Sequence, residues 1–259
     1  MTFSSSVVNI IHDDSVAKTR LTFRVRRVYC CPKYQRPDLA EVGAVVYGGA
    51  MRILAVSDLV NEMLHSPALL ERARGVETIL SCGDLPADYL EYIVSLLNVP
   101  LFYVMGNHGG DGGEKIFPDG GENLDGRAIE SQGLLIAGLE GSPRYNDRPR
   151  FQYTENEMRA KIAGLTPALM VNRARYGRYL DILITHAPPF GIHDGEDLPH
   201  RGFKSFVWFI DNYKPRYLIH GHKHVYDLRE ATITPRGATT IVNAYGFKIL
   251  DIEKIKRKT

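Results

Sequence analysis

Strand and helix patterns alternate along residues 51–107, and this alternation limits the folds that the chain can adopt. Three short apolar runs predict strands: "RILAVS", "VETILSC" and "PLFYVMG". Two segments between them predict helices, "PADYLEYIVSLLN" and "SPALLERARG", the latter with Ser66 as N-cap and Pro67 at the first helical position. Strands that alternate with helices are typical of an α/β fold built on a parallel sheet.

The second half of the chain continues with strand and helix patterns. "AIESQGLLIAGLEG" predicts two strands around Gln132-Gly133, and "TENEMRAKIAGLTPALMVNRARYG" predicts a helix that is interrupted near Pro167. "HRGFKSFVWFIDNY" predicts an amphipathic helix with Trp208 in the core. Further strands are predicted in "LDILITHAPP", in "PRYLIHGHKH", which runs into a turn, and as a closing pair around Gly246 in "TTIVNAYGFKILDIEK".

Residues 1–50 differ from the rest in composition and pattern. "LTFRVRRVY" alternates apolar with basic residues, which favours a strand with one solvated face over a stripe that binds nucleic acid. "YGGAM" is interpreted as a hinge, because Met51 opens a clean strand. We therefore predict an N-terminal extension over residues 1–50, which could pair with another subunit, and a single domain over residues 51–259.

Composition excludes several classes of protein. The 32 basic and 30 acidic residues give a net charge of +2, so nothing general attracts the chain to nucleic acid or to a membrane. Cys30, Cys31 and Cys82 make no disulfide framework, which favours a reducing compartment. No apolar run approaches the ~20 residues of a membrane span, and no secretory signal is visible. A cytoplasmic protein is the expectation.

Five short motifs follow predicted strands. They are Asp58 in "SDLV", Gly83-Asp84 in "CGDL", Gly106-Asn107-His108 in "MGNHG", His186 in "ITHAPP", and Gly221-His222-Lys223-His224 in "HGHKH". In open α/β sheets, sites form outside the carboxyl ends of the strands, so these loops can meet in one cluster. The glycines before Asp84, Asn107 and His222 would permit tight turns or unusual backbone angles.

The ligand types in these motifs suit two divalent cations. A carboxylate can bridge two metals, while imidazole and amide oxygen fill single positions. Two such metals can bind a phosphate ester and lower the pKa of a bridging water. Each motif alone is weak, since "GD" or "GNH" is usually a turn and a strand histidine is usually a core residue. The period of two in "HKH" is stronger, because it places both rings on one side.

The order of these motifs resembles that of the calcineurin-like metallophosphoesterase superfamily, D-x-H, G-D, G-N-H-[DE], H and G-H-x-H, over residues 51–252. The resemblance implies a four-layer αββα fold, in which a β-sandwich is flanked by helices, with a dinuclear metal site. It implies Asp58 and His224 on one metal, with Asp84 bridging to the other. It implies that Asn107, His186 and His222 hold the second metal.

The resemblance also implies catalytic roles. Asp84 would act as the bridging ligand, and His108 would stand beside the substrate phosphate as an acid or transition-state stabiliser. Asn107 and His108 would contact the substrate. Small phosphorylated compounds are the expected substrates, and Mn²⁺, or iron and zinc, the expected metals.

Two positions depart from the superfamily pattern. Val60 stands where a metal-binding histidine is usual, which predicts a weakened metal site that retains Asp58, Asp84 and His224. Asn61, Glu62 or His65 could compensate, although each also fits a solvated helix start. Gly109 stands where an acidic partner of His108 is usual, and Asp111 is the alternative partner.

Additional substrate contacts are predicted in "THAPPFGIHDGEDLPHRGF". Arg201 could bind a phosphate oxygen, and His193 or His200 could touch the substrate. The competing interpretation, for each of these residues and for Asp194 in the same loop, is a loop braced by its own hydrogen bonds. Arg144 and Tyr145 in "GSPRYND" are candidates for the pocket rim.

Three functions follow from these patterns. The leading one is a metal-dependent phosphatase or phosphodiesterase that acts by attack of a metal-bound hydroxide. The second is an interaction scaffold on the same fold, with an impaired site and residues 1–50 as a docking arm; Val60 and Gly109 favour it. The third is a nuclease, which the balanced charge disfavours.

Overall fold

The computed structural model describes residues 47–108, 115–147, 150–227 and 229–255. These residues all belong to one compact unit, Ala44–Thr259. The described strands are β1 (Tyr47–Ser57), β2 (Val76–Ser81), β3 (Leu101–Tyr103), β4 (Gly121–Asn123), β5 (Ala128–Ser131), β6 (Leu134–Leu139), β7 (Ser142–Pro143), β8 (Gln152–Tyr153), β9 (Ile182–Thr185), β10 (Tyr217–His220), β11 (Ile233–Arg236), β12 (Thr239–Asn243) and β13 (Gly246–Ile255). The described helices are α1 (Leu69–Arg72), α2 (Ala87–Leu97), α3 (Glu155–Tyr176) and α4 (Lys204–Tyr213).

The strands form two large sheets and one small ribbon. The first sheet has the order β13-β1-β2-β3-β4, with β1 to β4 parallel and β13 antiparallel to β1. The second has the order β11-β12-β10-β9-β6-β5, with a parallel centre and antiparallel edges. β12 and β13 were predicted as a pair, but they lie in different sheets, because the chain crosses between the sheets at residues 244 and 245.

Both faces of each sheet are buried. Along β1, Met51 and Ile53 belong to the core between the two sheets, whereas Leu54 and Val56 belong to a second core with α1 and α2. A third core joins the second sheet to α3 and α4. The period of two in β1 thus divides its side chains between two apolar layers. The predicted four-layer αββα arrangement is confirmed.

Helix α3 is continuous through Pro167, so the predicted interruption is wrong. The helix begins with a capping box between Thr154 and Glu157. Its buried residues continue at helical spacing on both sides of the proline: Met158, Ile162, Leu165 and Leu169. This packing stabilises the helix at Pro167, where the proline has no N–H for a backbone hydrogen bond.

Three other local predictions need correction. α1 has only four residues with Ala68 at its N-cap, and the Ser66 hydroxyl donates to the carbonyl of Met63. Trp208 is 52% exposed, because α4 buries Phe206, Phe209 and Ile210 on its other face. β1 begins at Tyr47 and runs through the supposed hinge, with irregular pairing between Tyr47 and Ala50.

Several sequence-based predictions lie outside the described residues. They include the strand in "LTFRVRRVY", Cys30, Cys31, Gly109 and Asp111. The division of the chain near residue 50 stays a prediction. Within the described residues, no helix combines the length and the apolar character that a membrane crossing requires.

Candidate metal centre

The five predicted loops meet at one end of the β-sandwich. Asp58 follows β1 and His186 follows β9, while the other motifs follow β2, β3 and β10. The backbone N–H of Asp58 donates to the carbonyl of Gly83 at 3.2 Å, and that of Gly221 donates to His186 at 3.0 Å. Across the sheets, the N–H of His222 donates to Asp58 Oδ2 at 2.9 Å. The carboxyl ends of both sheets therefore contribute to one site.

Four of the six predicted metal ligands lie together. Asp84, His186 and His222 offer ligand atoms within 4.8 Å of one another. His186 Nε2 lies 3.1 Å from Asp84 Oδ2 and 2.9 Å from Asn107 Oδ1. Nitrogen and oxygen donors at this spacing fit a divalent transition metal.

Neighbouring groups orient these possible ligand atoms toward one point. His186 Nδ1 lies 2.8 Å from the carbonyl oxygen of Cys82, which can only accept, so Nδ1 carries a proton and Nε2 faces the cluster. Asn107 Nδ2 donates to the Tyr145 hydroxyl at 3.0 Å, which turns Oδ1 inward. His222 Nε2 lies 2.6 Å from the carbonyl oxygen of Pro199, which leaves Nδ1 for a cation. The convergence of acceptor atoms on one point is what a cation site requires.

The electrostatics of the cluster also favour positive charge. Burial lowers the pKa of His186, but the carboxylates of Asp84 and Asp58 outweigh burial and raise it to about 9. Burial lowers the pKa of His222 to about 3, so His222 is neutral near pH 7. The metal-free cluster therefore holds a proton on His186 that a metal must displace.

This proton predicts the pH dependence of metal binding. Because His186 has a raised pKa, uptake of Mn²⁺ near pH 7.5 should release about one proton per chain, and affinity should rise with pH until about 9. Isothermal titration calorimetry in buffers of different ionisation enthalpy counts the protons. His186→Gln should remove the released proton. Binding with no proton release in the wild type would contradict the prediction.

The second half of the centre is more open. His224 Nε2 lies 4.0 Å from Asp58 Oδ1, and the His224 side chain is 41% exposed. Tyr245 lies against its ring at 4.8 Å, and the Tyr226 hydroxyl is 2.8 Å from Nδ1. Val60, in place of the missing histidine, is exposed. Asp58 and His224 are therefore near each other, but fewer possible metal ligands surround them than surround His186.

Glycines make the close approach of these loops sterically feasible. A Cβ on Gly106 would lie 2.0 Å from Asp84 Oδ1, and one on Gly221 would lie 1.8 Å from Ser57 Oγ. Gly83 has φ +97°, one of the unusual backbone angles that glycine was expected to permit before Asp84. Asp58, Asp84 and His222 also have positive φ, of 62°, 54° and 67°. Strained backbone at three ligand positions is typical of a functional site.

Comparison with known proteins agrees with this geometry. The family model for calcineurin-like phosphoesterases matches residues 51–226. The chain belongs to the calcineurin-like phosphoesterase family. Members of this phosphoesterase family typically bind divalent metals, in agreement with the ligand cluster. None of the curated proteins matches the sequence.

Solved structures share the fold. The protein TT1561 of Thermus thermophilus has a TM-score of 0.55 at 17% identity, covering 78% of this chain and 94% of that chain. Another crystal structure has a TM-score of 0.58 at 14% identity, covering 81% of this chain and 100% of that one. Vps29 from Entamoeba histolytica, complexed with zinc, has a TM-score of 0.36 at 14% identity, covering 76% and 74%. The first two share the fold of this chain, and the third is less similar.

His108, the predicted acid of the phosphoesterase, stands at the edge of the metal cluster. Its backbone N–H donates to Asp84 Oδ1 at 2.9 Å, and its side chain is exposed. A cleft of about 600 Å³ is bordered by His108, Asp84 and Lys115. A group bound in this cleft would lie beside both the carboxylate and the imidazole.

The predicted substrate contacts lie farther out, within a braced loop. His193 has both ring nitrogens engaged, with His220 Nε2 at 3.1 Å and Thr234 Oγ1 at 2.8 Å. Arg201 is exposed, and its guanidinium donates to the carbonyl of Glu196 at 3.3 Å. The Asp194 carboxylate accepts two backbone N–H groups of the same loop. The ring of His200 lies 5.3 Å from that of His222, so His200 borders the predicted ligands, whereas the described contacts of His193 are with His220 and Thr234.

Other candidates have structural partners. Arg144 pairs with Glu157 at 3.0 Å, whereas Tyr145 contacts Asn107 directly. The His65 ring packs against Tyr89 and Tyr92 on the α2 side. The Asn61 side chain accepts the N–H of Met63 within its own turn.

Sequence reasoning missed His220. It is fully buried behind His222, and burial lowers its pKa to about 3. Its Nδ1 donates to the carbonyl of Gly221, so Nε2 accepts from His193. The period of two in "HGHKH" was the available signal, since it extends back to this residue.

Proposed function

We propose that the chain is a metal-dependent phosphoesterase that hydrolyses phosphate mono- or diesters of small molecules. The supporting observation is the convergence of Asp84, Asn107, His186 and His222 on one point, with their donor atoms oriented by neighbouring groups. Without metal, the protonated Nε2 of His186 donates between Asp84 and Asn107, and a bound cation would take the place of this proton. The family membership supports the same class of reaction.

Two sets of residues would hold the metals. Asn107, His186 and His222 would form one set, Asp58 and His224 the other, and Asp84 would bridge the two; the contacts of Asp84 with His186 and of Asp58 with His224 support this assignment. Bound divalent cations would polarise the phosphate and lower the pKa of a bound water. Nitrogen and oxygen ligands suit Mn²⁺, iron or zinc.

His108 is proposed to deliver the proton to the leaving oxygen. Its imidazole is exposed at the cleft, and its backbone is fixed by Asp84. The Asp84 carboxylate, which would bind the metals, thus also positions the proposed proton donor. General acid catalysis from such a position contributes about 10²–10⁴-fold to the rate.

Restoring the missing histidine should strengthen the weaker metal site. Val60 is exposed beside Asp58, so Val60→His adds an imidazole without disturbing a core. We expect the dissociation constant of the weaker metal to fall about tenfold or more, since a direct ligand should contribute at least as much as the outer-shell partners whose loss costs about 10–100-fold in affinity. Metal competition with a fluorescent chelator measures the constant. Val60→Ala is the control, and equal affinity in both variants would contradict the prediction.

The alternative function is an interaction scaffold on this fold. One observation favours it: Leu59, Val60 and Met63 are exposed and apolar beside the weaker site. Exposed apolar patches often mark protein interfaces. This function requires no turnover and no metal at Asp58.

Metal content and activity together decide between the two functions. The purified protein is stripped of metal, reloaded with Mn²⁺ and assayed with bis-p-nitrophenyl phosphate and p-nitrophenyl phosphate. The phosphoesterase predicts about two metals per chain and turnover that depends on them. His108→Ala should keep the metals and lose about 10²-fold in kcat. Fewer metals with no turnover on either ester would favour the scaffold.

A further inference from the structure

A groove of about 570 Å³ separates α3 from α4 on the outer side of the second sheet. The α3 wall consists of Arg159, Ile162, Ala163 and Thr166, which are spaced to share one helix face. The α4 wall consists of Lys204, Ser205, Trp208 and Tyr213. None of the predicted metal ligands lines this groove, and its volume lies in the range of small-molecule sites.

The two helices run in parallel, which gives the groove two different ends. At one end, the Glu155 carboxylate at the start of α3 accepts the N–H groups of Lys204 and Ser205 at the start of α4, at 2.6 and 3.1 Å. At the other end, the hydroxyls of Thr166 and Tyr213 are 2.8 Å apart. Arg159, Lys204 and Ser205 therefore belong to the first end, and Tyr213 belongs to the second.

Ser205 borders this groove and has an unused hydroxyl. The residue is 2% exposed, and Oγ has no hydrogen-bond partner among the described residues. A buried polar group without a partner is costly, and such groups are rare in folded proteins. The hydroxyls of Thr166 and Tyr213 satisfy each other, so Ser205 is the described residue of this groove whose hydroxyl lacks a partner.

The same end of the groove carries excess positive charge. Within the described residues, neither Arg159 nor Lys204 forms an ion pair, and the Lys204 ammonium lies 5.1 Å from the Phe190 ring. The nearby acid, Glu155, is already engaged by two N–H groups at the N-terminus of α4. Two cations and one engaged carboxylate leave this end suited to an anion.

The rest of the groove is apolar. Ile162, Ala163 and Trp208 line its middle, and Trp208 is more than half exposed although it is the largest apolar side chain of α4. The exposed indole offers a large apolar surface on which a hydrocarbon chain can pack.

We propose that this groove binds a small amphipathic carboxylate, such as a medium-chain fatty acid. The carboxylate would lie between Arg159 and Lys204 and accept a hydrogen bond from the Ser205 hydroxyl. The hydrocarbon chain would lie along Trp208 toward Tyr213. This site is independent of the phosphoesterase activity proposed above.

Trp208 makes the proposal directly testable, because it is the only tryptophan of the chain. Decanoate, below its micelle concentration, should change the intrinsic fluorescence of the full-length protein in a saturable way. Decanol and decyltrimethylammonium have the same chain without the negative charge, and they should bind at least about tenfold more weakly. Calorimetry with decanoate checks the affinity without relying on the indole.

Variants assign the binding to the groove. Arg159→Gln with Lys204→Gln should weaken decanoate binding about tenfold, and Ser205→Ala should weaken it about threefold to tenfold. Ala163→Phe should fill the groove and abolish binding. Arg175→Gln, an exposed arginine of the same helix outside the groove, is the matched control and should bind like the wild type.

Three results would overturn the proposal. They are no saturable response to decanoate, equal responses to the three decyl probes, and unchanged binding in Ala163→Phe with a melting curve like that of the wild type. A protein that dimerises in sedimentation experiments, and whose dimer is lost in Ala163→Phe, would instead assign the groove to a second copy of the chain.

Discussion

Asp84→Asn should lose about 10³-fold or more in kcat/KM on both nitrophenyl phosphates, together with most of the bound Mn²⁺. One oxygen of Asp84 lies 3.1 Å from His186 Nε2, and the other accepts the N–H of His108. Asparagine keeps the shape of this contact but removes the negative charge that attracts the metals. Steady-state kinetics and elemental analysis of the same reloaded sample measure both effects.

Asp88→Asn provides the matched control. Asp88 borders the same cleft, but its carboxylate accepts the N–H of Tyr89 at the start of α2. Its variant should keep metal and turnover within about a factor of two, since the change lies outside the cluster. Wild-type turnover and metal content in Asp84→Asn would rule out its role as the central ligand.

Gly221→Ala should destabilise the metal-free protein by about 3 kcal/mol and remove metal from the site of Asp58. The new Cβ would lie 1.8 Å from Ser57 Oγ and 2.4 Å from Asp58 Oδ2. Ser57 is fully buried, and Asp58 Oδ2 already accepts the N–H of His222, so neither atom can move without breaking a contact. Denaturant unfolding of the stripped protein measures the change in the free energy of unfolding.

Gly164→Ala is the control for the loss of glycine itself. Gly164 lies within α3, and a Cβ there would meet nothing within 4 Å. Because alanine is the better helix former, this variant should be more stable by up to about 1 kcal/mol. Equal unfolding midpoints for the two variants, with full metal content in Gly221→Ala, would contradict the prediction.

The sequence predicted that the polar residues of the site lie at strand ends. This was possible because the apolar runs and the polar residues that follow them are both local features. Asp58 and His186 directly follow β1 and β9, and "HKH" follows β10, as the apolar runs indicated. Parallel strands with common carboxyl ends then bring such residues together. The four-layer arrangement came from the resemblance, since periodicity cannot say that two sheets face each other.

The remaining features depend on contacts between distant segments. β4 lies in a glycine-rich stretch without a strand pattern, and only its pairing with β3 makes it a strand. Trp208 is as apolar as a core residue, but the apolar face of α4 is wider than the part of it that packs against the sheet. His193 was predicted at the substrate, whereas its partners His220 and Thr234 come from two other strands.

The pairing of β1 with β13 has a consequence for the order of events during folding. Met51 pairs with Ile252, so the first described strand meets its antiparallel neighbour only in the last described strand. Until β13 has been synthesised, one edge of β1 lacks its partner and presents unpaired N–H and C=O groups. Contacts between such distant segments slow folding. The nascent chain is therefore exposed to aggregation until β13 has been synthesised, and a chaperone that covers the free edge of β1 would act before that point.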